Sequence, residues 1–101
     1  MGTRLELQTK FEEFLGSRNV YYQPPETLKI DYPCIIYNRS DILNINADDM
    51  HYNNRTCYTV IVVDKTPDNP VISKILEMPY TSYDRYYKSD NLNHDVLRVY
   101  Y

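Results

Sequence analysis

The chain has 101 residues, 43% hydrophobic and 25% charged, with a formal net charge of −3. That length suits one domain with a core small enough for oligomer partners to add to its stability. The acidic balance excludes the basic footprint of a protein that grips nucleic-acid backbone, and no run approaches the roughly 18 apolar residues of a membrane span.

At the amino end, Arg4, Glu6, Lys10, Glu12 and Glu13 interrupt every apolar run. The segment therefore reads as no signal peptide, which places the protein in the cytosol. Thr3 with Glu6 forms a capping box, Leu7, Phe11, Phe14 and Leu15 follow at helical spacing, and Gly16 closes the run. The pattern predicts an amphipathic helix over about residues 3–16. Tyr21 and Tyr22 then lead into Pro24 and Pro25, where proline forbids helix and leaves an extended segment.

A strand is expected over about 33–39, and a longer one over about 55–64. The Val60–Val63 run is apolar on both faces, which places the second strand centrally in a sheet. Between them, residues 40–54 are polar and rich in Asn and Asp, and read as a long loop. Thr66-Pro67-Asp68-Asn69-Pro70 supplies a turn, an N-cap and a proline at the first helical position. The short helix predicted over about 70–77 carries Ile72, Ile75 and Leu76 on one stripe and stops at Pro79. Two last strands, about 80–88 and 93–101, flank a hairpin turn at Ser89–Leu92. The order α-β-β-α-β-β predicts one α+β domain over residues 1–101. Its single antiparallel sheet of about four strands is covered on one face by two helices.

Twelve tyrosines stand beside two phenylalanines and no tryptophan. Tyrosine is a wide apolar plate with a polar tip, suited to half-wet surfaces and interfaces. Strict alternation in the penultimate strand puts Tyr80, Ser82, Asp84, Tyr86 and Lys88 on one side. Thr81, Tyr83, Arg85 and Tyr87 then fall on the other. With Tyr on both sides, the strand suits a sheet whose outer face meets another subunit.

Sites for chemistry are thin. Cys34 and Cys57 fall in strand-like runs without a CxxC pair, and read as buried free thiols. Cys34, His94 and Asn93 compose a Cys-His-Asn set only on paper, because strand neighbours point to opposite faces. His51 after Asp48 and Asp49 is a weak metal signal that a solvated loop also explains. Asp64 beside Lys65 lacks the same-face spacing of nuclease carboxylates. Gly2 and Gly16 cannot build a phosphate cradle. The expectation is a protein without catalysis, cofactor or metal, working by shape and contact.

Tyr22-Gln-Pro-Pro-Glu26, Tyr32-Pro-Cys-Ile-Ile-Tyr37, Tyr58-Thr-Val-Ile-Val-Val-Asp-Lys65, Leu76-Glu-Met-Pro-Tyr80 and Asp90-Asn-Leu-Asn-His-Asp95 span about residues 21–101. This text resembles the tail terminator or tail completion proteins of the neck of long-tailed bacteriophages. The resemblance implies a small α+β domain closing into a homo-hexameric ring on the head-proximal end of the tail tube. Such a ring stops tube polymerisation and docks the head connector or head-closure protein. DNA passes through the lumen without specific binding, and no membrane is involved. The protein would belong to the virion and assemble in the host cytoplasm. Another head–tail joining component, a head-closure or adaptor protein, is the alternative. A heterologous ring needs two complementary patches per subunit. The expected interface residues are Tyr80, Tyr83, Arg85 and Tyr86 on the last hairpin, and Asp41, Asp48, Asp49 and Tyr52 in the 40–54 segment. Asp48 and Asp49 alternatively face the lumen, where like charge keeps DNA from sticking.

Overall fold

Helix α1 covers Arg4–Leu15 in the computed structural model, which describes residues 3–25, 29–46, 52–66 and 69–101. The Thr3 side chain accepts the Glu6 N–H at 3.2 Å, and Gly16 closes the helix in the left-handed region at φ 74°. Both ends thus satisfy backbone groups that a bare helix leaves orphaned. Strand β1 is Val20–Tyr22, β2 Cys34–Asn46 and β3 Tyr52–Asp64. Helix α2 is Val71–Leu76, followed by β4 (Thr81–Ser89) and β5 (Leu92–Tyr100). Pro70 is the N-cap residue of α2, and Asn69 Oδ1 just before it accepts the Val71 N–H at 2.9 Å.

The result is an α+β fold with a five-stranded mixed sheet, ordered β1-β2-β3-β5-β4. Two expectations are corrected. The sheet has a fifth strand, β1, which pairs parallel with β2 through Val20↔Ile35 and Tyr22↔Tyr37. It is therefore not purely antiparallel. Three residues before two prolines are too short to show a strand period, and only the edge of β2 holds them extended. The placement of β3 at the centre is as expected: it pairs with β2 on one side and β5 on the other.

The second correction concerns residues 40–54. Residues 40–46 and 52–54 are strand, and the register continues from Asp41↔Cys57 to Asn46↔Tyr52. Asn and Asp are poor strand formers, but antiparallel pairing with Thr56, Arg55 and Asn54 gives the backbone its hydrogen bonds here. A bulge between Arg39 and Asp41 breaks the ladder where this extension begins, and Ser40 Oγ donates to the Cys57 carbonyl there at 3.0 Å. β5 ends against Cys57, with one further bond from Tyr101 N–H to the Thr56 carbonyl. Beyond that point the two strands pair only with each other among the described residues. They form an arm of roughly 17 Å at about 3.4 Å per residue. The molecule is accordingly 49 Å long and 25 by 22 Å across.

The core lies on one face of the sheet. Leu7 and Phe11 of α1, with Val71 and Ile75 of α2, pack on Ile35, Tyr37, Tyr58, Val60, Val62, Leu97 and Val99. Phe14, Leu15 and Ile72 pack at its rim, whereas Leu76 is exposed, contrary to its expected place on the buried stripe. On the opposite face the register aligns Cys34–Val63–His94 and Ile36–Ile61–Val96 across three strands. No helix packs on that face among the described residues.

These positions set the stability expectations. Phe11→Ala empties a fully buried site and should cost about 3–5 kcal/mol in urea titration. Leu5→Ala, on the same helix but exposed, should stay within about 0.5 kcal/mol. Equal losses at the two positions would refute the packing described.

Candidate functional site: a tyrosine edge

Seven of the twelve tyrosines form two groups. Tyr37 and Tyr58 are buried, and Tyr22 lies against them with ring centroids 4.9 Å from Tyr37 and 6.4 Å from Tyr58. Arg4 stacks over Tyr22 at 4.5 Å and donates to the Tyr37 hydroxyl at 3.2 Å. The Tyr37 hydroxyl donates to Gln8. Burial pushes the Tyr37 phenol up, against the lowering pull of Arg4. These rings hold α1 to the sheet and offer nothing to a neighbour.

Tyr80, Tyr83, Tyr86 and Tyr87 form the second population, all exposed and all on β4 or its lead-in. β4 is an edge: it pairs with β5 and, among the described residues, with no other strand. The expected alternation fails here. A bulge between Tyr83 and Arg85 sets Tyr83 opposite Leu97 and Tyr86 opposite Asp95, on the helix side of the sheet. Arg85 falls opposite Val96 and Tyr87 opposite His94, on the other side. One extra residue at Asp84 shifts the period, so Tyr83 and Tyr86 share a face instead of opposing each other.

Their hydroxyls are tied down. Tyr83 donates to Asp95 Oδ1 at 2.6 Å, and Tyr86 donates to Asn93 Oδ1. Asn93 donates in turn to the carbonyls of Asp64 and Lys65, at 3.3 and 3.2 Å. Asn93 and Asp95 are the buried polar residues of the described chain. Beyond the helices, the two phenols provide the partners that buried polar groups require. Burial and the bond to Asp95 push the Tyr83 phenol up to about 12. The outcome is a pair of aromatic plates, pinned at the tip and still 44% and 49% exposed. Pre-positioned rings of this kind lose little conformational freedom when a protein covers them.

On the other side of β4, Tyr87 stacks on His94 with centroids 4.6 Å apart and planes at 11°. Arg85 pairs with Asp84 at 3.6 Å and lies 6.0 Å over the Tyr87 ring. Of the expected interface residues, Tyr80, Tyr83, Arg85 and Tyr86 thus gather at one sheet edge. Asp41 and Tyr52 sit in the arm by backbone register, and their side chains lie outside what is described. Asp48 and Asp49 lie outside the described residues altogether, as does His51. The sequence brought Asn93 forward only in the paper Cys-His-Asn set and gave no sign that Asn93 and Asp95 are phenol acceptors, a role visible once the tyrosines opposite them are known.

The chemical candidates resolve into structural roles. Cys34 and His94 share a face but lie on either side of Val63, two strands or roughly 10 Å apart. Burial pushes the Cys34 thiol up to about 12, with Asp64 adding to it, so it is a protonated core side chain and a poor nucleophile. Asn93 and Asp95 point away from His94, to the helix side. Cys34 and Cys57 are free and buried, six residues apart along the ladder of β3. Asp64 accepts from Thr66 N–H at 3.2 Å and Asn69 Nδ2 at 2.7 Å, which ties down the entry to α2. Among the described residues no three His, Cys, Asp or Glu side chains gather to hold a metal. No family model, curated protein or solved structure matches the chain.

The pinned phenol carries a pH signature. Folded Tyr83 keeps its proton up to about 12, whereas a free phenol releases it near 10. Between those values the native state binds more protons, so raising the pH favours unfolding. The contribution is complete below pH 10 and is lost as pH climbs to about 12. Cys34, Tyr37, Tyr58 and Tyr101, all shifted upward, act in the same direction. Chemical denaturation at stepped alkaline pH should show this decline, and Tyr83→Phe should make it shallower. An unchanged slope in that variant would remove the phenol–Asp95 bond from the account.

Proposed function

We propose that the chain is a structural ring protein of the neck of a long-tailed bacteriophage, a tail terminator. It assembles on the head-proximal end of the tail tube, stops tube growth and presents a docking face to the head connector. The observation that carries this reading is the tyrosine edge: four exposed rings on one open strand and its lead-in, two of them pinned by buried Asp95 and Asn93. That arrangement suits a surface kept ready for protein contact.

The rest of the reading is consistent with contact as the working principle. The net charge of −3 suits a lumen that lets DNA pass. The open edge of β4 and the arm lie at different places on one subunit. Ring assembly by head-to-tail contacts needs such a pair of unlike surfaces. On this reading the ring is homo-hexameric and its partners are its own copies, the tube protein and the head-closure protein.

Disrupting the gene in a phage that encodes it is the decisive experiment. The expected result is tails of excessive, irregular length and heads left unjoined, read by electron microscopy. Tails of normal length lacking only the junction would transfer the protein to head closure. Normal infectious particles would end the neck reading.

A further inference from the structure

Resting on the ring reading, we infer that the arm of one copy adds its outer edge, Ser40–Asn46, to the open edge of β4 in the next copy. Ser40–Asn46 is paired on one side by β3 and has no strand on the other among the described residues; β1 ends at Tyr22, opposite Tyr37. β4 offers nine residues whose outer edge is paired with no strand among the described residues. Each edge presents backbone donors and acceptors that a strand would satisfy, and the two are similar in length. A two-stranded ribbon is marginal in water without a further partner. The edges lie on opposite sides of one five-stranded sheet, so they cannot reach each other within a subunit.

Charge selects this occupant. Residues 40–46 contain the carboxylate of Asp41 and no Lys or Arg. The β4–β5 edge is basic in balance: Arg85, Lys88 and Arg98 are exposed there. Of its carboxylates, Asp84 is paired with Arg85, Asp95 is turned to the opposite face under Tyr83, and Asp90 sits at the hairpin tip. A strand with one carboxylate and no cation therefore meets a hairpin whose exposed cations outnumber its exposed carboxylates by three to two, and the same balance disfavours β4 pairing with a second β4. Tyr83 and Tyr86 on one side of the seam, with Tyr87 on the other, supply apolar contact to the added strand.

The test uses the full chain carrying a photo-crosslinking phenylalanine analogue in place of Tyr87, an exposed ring whose change leaves the core intact. Crosslinked peptides are mapped by mass spectrometry, and association is followed by light scattering. Crosslinks to residues 40–46 of a second copy are expected. The double variant Arg85→Glu, Lys88→Glu should raise the dissociation constant about tenfold while Lys10→Glu, on α1, leaves it unchanged. Copies that associate but crosslink elsewhere, or that ignore the charge reversal, would overturn the strand addition and leave the ring standing. A chain that stays monomeric at millimolar concentration and on tail tubes would overturn both.

Discussion

Two helices have to roof five strands, and the shortfall shapes everything at the β4 side of the molecule. A helix with its side chains is about 10 Å wide and strands are about 4.8 Å apart, so each helix shelters roughly two strands. Helix α2, at six residues, is only about 9 Å long and shelters less. Leu7, Phe11, Val71 and Ile75 cover the middle of the sheet, and the cross-strand row Ile35–Val62 continues into Asp95 and then Tyr86. An apolar residue at position 95 would need a third helix above it. The chain instead buries a carboxylate and covers it with the rings of its own edge strand. Tyr83 and Tyr86 therefore act both as roof and as outer surface.

That dual role depends on the bulge at Asp84. Without the extra residue, Tyr83 and Tyr86 would point to opposite faces, and one of Asp95 and Asn93 would be left without its phenol. A buried polar group deprived of its partner costs about 1–3 kcal/mol, so the bulge is part of the stability of the hairpin. It also kinks and twists the edge, which moderates indiscriminate pairing along β4. The type of turn follows the same logic. Asp90 and Asn91 both take positive φ, 52° and 63°, the geometry that closes a two-residue hairpin in step with the natural strand twist.

Local rules were legible in the sequence wherever neighbours along the chain decide the outcome. The Thr3 cap, the Gly16 stop, the Asn69-Pro70 start of α2 and the last hairpin all follow from residues within a few positions of each other. The central place of β3 was legible because Val60–Val63 is apolar on both faces. What escaped was decided by partners distant in sequence. Nothing near Tyr37 in sequence marks it as buried and bonded, because Arg4 and Gln8, 33 and 29 positions away, hold its hydroxyl. The arm reads as loop because Asn and Asp lower strand propensity, and only pairing with the far side of the hairpin overrides it. Of the site, the edge tyrosines were legible by their density. Their grouping was not, since a single bulge inverts every side chain after it.

The two populations of tyrosine bear on the proposed assembly in opposite ways. Rings held by Arg4, Gln8 and the core fix how α1 lies on the sheet, and so fix the shape of the subunit. Tyr83 and Tyr86 on β4 cost little to cover because their tips are already bound within the subunit, so a partner need only exclude water from their faces. A subunit with a rigid body, one pre-ordered edge and one projecting ribbon has contacts of unlike kind at its two sides. Like kinds favour a two-fold pair, whereas unlike kinds propagate in one direction and end only when the turn per subunit closes. Directional growth that closes on itself is what a cap on a hollow tube requires. In the proposed ring that directionality would arise from an edge that no helix roofs on one side and a long hairpin beyond the other.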